Sequence, residues 1–182
     1  MLKHKGTRPI ETNRLLLRPF EEGDAPAILR NWASDPEVTR YLSWQAFEEI
    51  AAAEALLRRW LEAYSSPMTY RWAITLKDKA GEPIGSIDLV HVDEYLEQGE
   101  IGYCLSRRFW NKGIMTEALS AVLRELASCG FMRAFARHDT RNPASGRVME
   151  KCGMRLEGVM HRSDKDNTGQ FCDMAQYAIW IE

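Results

Sequence analysis

Hydrophobic positions change their spacing several times along the chain, and each change marks a predicted element. "TNRLLLRPF" (12–20) reads as a strand that Pro19 stops, because proline has no amide to give a ladder. "EEGDAPAILRNWASD" then turns to helical spacing, with Asp24 as N-cap, Pro26 in the first turn, and Ile28, Leu29 and Trp32 facing inward. A second helix is expected over roughly 45–64, where Phe47, Ile50, Leu57, Trp60, Leu61 and Tyr64 follow a helical period until "SSP" ends it. Between the two helices "DPEVTRYLSW" is aromatic and irregular. "TYRWAITL" (69–76), "PIGSIDLVHV" (83–92) and "GEIGYCLS" (99–106) are three strands joined by the turns "KDKAGE" and "DEYLEQ", which predicts an antiparallel meander. Ala118, Leu119, Val122, Leu123, Leu126 and Ala127 form the stripe of a helix over 116–129, closed by Gly130. A strand (132–139), a short helix ending at Gly153 (142–153) and a hairpin (154–162 and 171–181) complete the chain. Strand, helix, strand in that order predicts a parallel crossover, so the expected class is α/β: a mixed sheet with helices on both faces.

Composition narrows the picture. A chain of 182 residues with 45% hydrophobic and 27% charged residues fits one domain spanning 1–182, with the polar opening "MLKHKGTRPI" as a loose extension. The formal charge of −2 offers no broad cationic face, so neither direct nucleic-acid binding nor an anionic membrane surface is expected. Cys104, Cys129, Cys152 and Cys172 lack C-x-x-C spacing and no secretory signal precedes them, so they read as reduced thiols of a cytoplasmic protein. His4, His91 and His161 lack metal-ligand spacing, and no metal is expected. His138, Asp139 and Cys152 invite a thiol-enzyme reading, which we set aside because Cys152 has no nucleophile context.

The stretch "RRFWNKGIMTEAL" (107–119) carries the most chemistry. If a strand ends before it and a helix begins within it, the turn exposes the unpaired N–H groups of a helix N-terminus, where an anion fits. Gly113 permits close backbone approach, Lys112 adds charge, and the Thr116 hydroxyl either caps the helix or donates to an oxygen. The glycine pattern is neither a Walker loop nor a dinucleotide fingerprint.

"EIGYCLSRRFWNKGIMTEAL" followed by "NPASGRVMEKCGM" resembles the acyl-CoA binding core of the GNAT superfamily of N-acetyltransferases. "TNRLLLRPFEEGDA" and "DPEVTRYLSW" further resemble its Rim-type branch, which acetylates N-terminal alanines of ribosomal proteins. The resemblance runs from about residue 10 to the C-terminus and implies the GNAT fold, a mostly antiparallel mixed sheet splayed between its fourth and fifth strands. It implies acetyl-CoA as cosubstrate, with the pyrophosphate on a Q/R-x-x-G-x-G/A loop that aligns with Trp110, Asn111, Lys112, Gly113, Ile114 and Met115. Trp110 and Met115 depart from that pattern. The same resemblance places the pantetheine arm along Cys104, Leu105 and Ser106, by strand addition to an open edge, and against Asn142.

For catalysis, the resemblance points to Glu100 as a general base acting through a water, and alternation puts it on one face with Gly102 and Cys104. The plainer reading of Glu100 is a solvent-facing or salt-bridged strand carboxylate. Many relatives use a tyrosine as acid, but Met149 stands at that position, and Ser145 is the substitute, as proton donor or by holding a water. The plainer readings are a helix-start hydroxyl for Ser145 and an N-cap for Asn142. An oxyanion donor is expected from a backbone N–H near Leu105. Trp32, Tyr41, Trp44 and Trp72 wall an acceptor pocket or belong to the core. The leading reading is direct acetyl transfer from acetyl-CoA to a primary amine, first a protein N-terminal α-amine such as that of a ribosomal-protein alanine. The alternatives are a small-molecule amine (polyamine, amino acid or aminoglycoside), a non-catalytic acyl-CoA module, and an interaction protein without cofactor. Monomer and homodimer both remain open.

Overall fold

Residues that alternate between two cores set the architecture, and the computed structural model describes them over residues 1–77 and 81–181. The centre of the predicted "KDKAGE" turn, residues 78–80, lies outside the described residues. The strands are β1 (Ile10–Glu11), β2 (Leu15–Arg18), β3 (Arg71–Leu76), β4 (Pro83–Asp93), β5 (Gln98–Leu105), β6 (Arg133–Asp139), β7 (Arg155–Lys165) and β8 (Phe171–Trp180). They form one sheet in the order β1-β2-β3-β4-β5-β6-β8-β7. Every pairing is antiparallel except β5 with β6, which brackets the crossover helix. The helices are α1 (Ala25–Ile28), α2 (Pro36–Thr39), α3 (Ile50–Ala63), α4 (Ile114–Ser128) and α5 (Pro143–Lys151).

In β3 the alternation is plain: Trp72 and Ile74 join the core under α4 and α5, whereas Ala73 joins the core of α1 and α3 on the other face. Successive side chains of a strand point to opposite faces, so both faces of the sheet are covered by helices. Trp72 and Trp32 are fully buried, one in each core, and the Trp72 indole donates to the Arg8 carbonyl at 2.7 Å. They are removed from the acceptor wall: burying two large rings stabilises the cores, and neither ring is open to a ligand.

Several boundaries differ from the sequence expectation for local reasons. The 12–20 strand breaks at a turn in which the Thr12 hydroxyl accepts the Leu15 N–H (2.9 Å). The first helix divides into a 3-10 turn (Glu22–Asp24), α1 and a π turn (Leu29–Ala33). Asp24 does not cap α1, because its buried carboxylate is bonded to Arg18 (2.8 and 2.9 Å) and to the Glu21 N–H (2.8 Å). The second helix begins at Ile50, not near 45, since the Phe47 N–H is bonded to the Ala33 carbonyl (2.8 Å). The N-terminal residues are docked, not loose: the Lys3 N–H reaches the Cys129 carbonyl (2.8 Å) and His4 reaches the Tyr70 hydroxyl (3.1 Å). Among the described residues no helix is long and apolar enough to cross a membrane.

The parallel seam is short. It pairs Gln98↔Arg133, Gly99↔Ala134 and Glu100↔Phe135, then stops. The outer edge of β5 beyond Glu100 is therefore an unpaired strand edge in the middle of a sheet. Trp72→Ala is expected to lower the unfolding free energy by about 3–5 kcal/mol, measured by urea denaturation, as a core deletion and not as the loss of an acceptor contact.

Candidate functional site

Backbone direction along β5 sorts the predicted contacts. The Ser106 N–H is bonded to the Ile84 carbonyl (2.8 Å), and antiparallel amides alternate sides, so Cys104 and Ser106 give theirs to β4. Tyr103 and Leu105 point their amides at the open seam. Of the predicted trio, Leu105 alone keeps an amide for a ligand. The Cys104 side chain lies on the α1–α3 face, 3.3 Å from the Ser86 hydroxyl, and burial pushes its thiol up to about 11. Cys104 and Ser106 are thus corrected as contacts for an added strand.

The turn after β5 is bent by two left-handed residues, Asn111 (φ 60°) and Gly113 (φ 71°). Gly113 is the N-cap of α4, so the Thr116 hydroxyl does not cap the helix and has no protein partner among the described residues. The first intrahelical bond runs from the Glu117 N–H to the Gly113 carbonyl (3.0 Å). The N–H groups of Ile114, Met115 and Thr116 precede it and have no partner among the described residues, at the positive end of a fifteen-residue helix. The side chains of Ile114 and Met115 are buried in the core beneath, so Met115 does not narrow the approach to the loop. Trp110 closes back on the strand, its indole donating to the Leu105 carbonyl at 2.8 Å. Arg108 and Lys112 form no ion pair among the described residues, and Lys112 stands over the Phe109 ring. The surroundings suit an anion.

The loop is held from the far end of the sheet. Glu117 accepts from the Thr12 hydroxyl (2.6 Å), the Arg14 N–H (2.9 Å) and the Arg14 guanidinium (2.7 Å), and Arg14 also donates to the Lys112 carbonyl (3.0 Å). Burial raises the Glu117 carboxyl, but these donors outweigh it and hold the group below the usual carboxylate range.

Across the seam, Ser145 lies in the first turn of α5. Its hydroxyl is 2.9 Å from the Tyr103 hydroxyl, and its carbonyl is 3.0 Å from the same atom. The Ser145 hydroxyl is therefore paired with a strand tyrosine, while its N–H is bonded to the Asn142 carbonyl (3.2 Å). Burial raises the Tyr103 phenol, so it stays protonated and has one proton to donate. Asn142 precedes α5 without a side-chain cap bond, and Met149 is buried. Tyr103 escapes a reading by sequence because it alternates with Ile101 and Leu105 and so reads as one more core residue.

Glu100 faces the other side of the sheet. Its side chain is 15% exposed, and Oε1 accepts from Arg137 Nε at 2.8 Å. The plainer reading, a salt-bridged carboxylate, describes this contact, while Oε2 has no hydrogen bond among the described residues. On this face the β7–β8 turn packs against residues 39–45: the Asn167 amide donates to the Thr39 carbonyl (2.9 Å) and the Gln45 amide donates to the Asn167 carbonyl (3.1 Å). Arg141 ties Asp139 (2.9 Å) to Asp166 (2.8 Å) beneath that turn and lies over the Tyr41 ring. Tyr41 and Trp44 are half-buried here. Among the described residues no group of His, Cys, Asp or Glu is arranged to hold a metal.

A mixed sheet opened at its parallel seam, with a helix N-terminus beside the opening, defines an acyltransferase architecture. Residues 14–155 match the family described as Acetyltransferase (GNAT) domain, and the chain belongs to that family. It is an N-acetyltransferase. It is 32% identical over 154 residues to the N-acetyltransferase YoaA of Bacillus subtilis, covering 84% of this chain and 86% of that protein. The ribosomal-protein-serine acetyltransferase of Escherichia coli is 31% identical over 105 residues, 57% of this chain and 58% of that one. A GNAT acetyltransferase structure from Bacillus anthracis superposes with a TM-score of 0.81 at 26% identity, over 95% of this chain and 98% of that one. RimL, the ribosomal L7/L12 α-N-protein acetyltransferase, solved with coenzyme A, shares the fold at 22% identity with a TM-score of 0.85, over 96% of this chain and 98% of that one.

Glu117→Gln is expected to destabilise the protein by about 1–3 kcal/mol at neutral pH, because charge-assisted bonds weaken. A carboxyl held low in the folded state contributes stability above its unfolded value, near 4.3, and loses it as pH falls through the lower folded value. The gap between wild type and variant in urea denaturation should therefore narrow on acidification below about pH 4.

Proposed function

We propose that the protein uses acetyl-CoA and transfers the acetyl group by direct attack of an amine, with a protein N-terminal α-amine as first acceptor. The unpaired amides of Ile114, Met115 and Thr116 behind the left-handed Gly113 carry this reading. They fit a diphosphate by charge and by donor direction, and Arg108 and Lys112 add cationic charge at the rim. The Tyr103 and Leu105 amides suit the peptide-like amides of a pantetheine arm laid along β5, with Asn142 at the start of α5. A bound thioester supplies an electrophilic carbonyl and a thiolate leaving group. Of these two amides, the one that the arm leaves free is the donor for the oxyanion, where a fixed backbone dipole outperforms water.

Proton traffic divides between the two faces of β5. Ser145, oriented by Tyr103, donates toward the sulfur or holds a water there. Tyr103 has one proton for two acceptors, the Ser145 carbonyl and Oγ; only when it turns from the carbonyl to Oγ is the serine proton free to point at the leaving group. Glu100 receives the amine proton through a water at its open Oε2. A weak base suffices for an α-amine, with a reference pKa of about 7.7–8.0, since about a tenth is already neutral at pH 7. The kinship with the ribosomal-protein-serine acetyltransferase supports the protein-terminus reading, while Tyr41 and Trp44 are the aromatic residues left to meet that acceptor.

Thiol release from acetyl-CoA with peptides of varied N-terminal residue, beside spermidine, free amino acids and an aminoglycoside, tests the acceptor. Peptides are expected to turn over fastest, and preference for a small amine would replace the reading. Gly113→Asp is expected to weaken coenzyme A binding at least about 100-fold by calorimetry, because a side chain and a negative charge enter the anion site. Glu100→Gln is expected to lower kcat about tenfold or more with coenzyme A affinity unchanged; an unaltered kcat across pH removes Glu100 from the mechanism.

A further inference from the structure

The face of the sheet that carries Glu100 holds one more carboxylate. Asp88 stands on β4 opposite Gly102 of β5, two positions from Ser86, whose hydroxyl lies 3.3 Å from the Cys104 thiol. Side chains two apart on a strand share a face, so Asp88 belongs with Cys104 and Glu100 on the side of α1 and α3. Its side chain is 13% exposed and is bonded to Arg71, its partner on β3. A buried ion pair repays its desolvation only when the remaining lone pairs also find donors. Here they do not. Arg71 gives Nε (3.0 Å) and Nη2 to the same oxygen, Oδ2, while its guanidinium is stacked on the Trp60 ring at 5.0 Å. Oδ1 has no partner among the described residues. Burial raises the Asp88 carboxyl, and Arg71 offsets only part of that rise.

Oδ1 faces an opening. A Cβ at residue 102 would stand 3.5 Å from it and 2.8 Å from Val90 Cγ1, so glycine there keeps clear the space between Val90 and the carboxylate. That space reaches solvent: Gly102 and Cys104 are partly exposed, and Val90 is exposed. Gly102 also lies on the strand whose far edge is the open seam. Neighbouring strands are about 4.8 Å apart, so a group resting on Oδ1 lies over β5 with no side chain of residue 102 between it and the seam. Glu100 is two residues further along β5, about 7 Å away on the same face.

We infer that Asp88 binds the acceptor's amine, as a primary ammonium group that donates to Oδ1. The occupant brings N–H donors and positive charge, because a carboxylate oxygen only accepts and this one lacks a donor. An α-amine with a reference pKa of about 7.7–8.0 is about nine-tenths charged at pH 7, so the acceptor arrives as a cation and needs an anion before it gives up its proton. Asp88 holds the amine and Glu100 takes the proton, each carboxylate fixed by its own arginine. The inference rests on the amine-transfer reading and holds for a peptide terminus and for a small amine alike.

The test uses wild-type protein and needs no turnover. The Asp88 carboxyl carbon is followed by NMR in 13C-aspartate-labelled protein, with its signal assigned through the backbone and ionic strength held constant. The probes are alaninamide and n-propylammonium, beside their neutral counterparts propionamide and 1-propanol. At least one ammonium probe is expected to move the Asp88 signal saturably below about 50 mM, with its counterpart at least about tenfold weaker. Saturation by propylammonium alone supports Asp88 and turns the acceptor from a peptide terminus to a small amine. With whichever amine is acetylated, Asp88→Asn should raise KM about tenfold or more while kcat and coenzyme A affinity stay within about threefold, the reverse of the split expected for Glu100→Gln. No saturable shift with either ammonium probe overturns the inference, as do equal shifts from the neutral counterparts or a wild-type KM in Asp88→Asn.

Discussion

The proposed function depends on amides that the sheet leaves unpaired. Backbone N–H groups inside a protein are nearly always bonded, and an edge strand within a sheet is an invitation to close up. Here β5 and β6 zip for three residues and then part. Side chains hold the opening from both sides. Tyr103 spans it to Ser145, and Asp139, at the end of β6, is fixed by Arg141 just before α5 begins. The seam persists because its flanks are bonded elsewhere.

The helix that faces the seam shows the same economy. An acidic residue in a first helical turn favours the helix dipole, and one with free oxygens tends to take up the terminal N–H groups itself. Glu117 does not, since Thr12 and Arg14 occupy its oxygens. The β1–β2 hairpin thereby does two things. It extends the sheet, and it keeps the amides of Ile114 to Thr116 directed outward.

Legibility in the sequence followed whether an element's period was set by burial on one face. The strand meander, the stripe of α4 and the final hairpin all emerged from spacing, within a few residues at their ends. The first helical region did not, because Asp24 there is bonded to Arg18 and not to helix N–H groups, an ion pair that spacing does not reveal. The loop at 107–115 was legible from glycine, charge and position, and Gly113 there takes a left-handed φ that glycine adopts freely. Which amides of β5 point outward was not, since that depends on the register with β4. Trp32 and Trp72 carried both a core and a pocket reading until their burial decided for the core. Tyr103 was hidden for the converse reason: half of its role is to pack, and its hydroxyl finds Ser145 only after the fold brings α5 beside β5.

Alternation along β5 then explains why donor and acceptor chemistry need not interfere. Tyr103 and Glu100 lie an odd number of residues apart, so their side chains emerge on opposite faces of the sheet. Beside them the β5–β6 pairing has stopped, and the Leu105 amide points into the opening. In the proposed reaction a proton lost on the Glu100 side and one supplied on the Ser145 side are separated by the strand, and Arg137 is bonded to the Glu100 carboxylate on its own face. Were Glu100 moved one residue along, it would enter the α4–α5 core as an uncompensated charge, a placement that burial penalises strongly. The strand's two-residue period therefore sets the two groups that the proposal assigns to proton removal and proton supply on opposite faces.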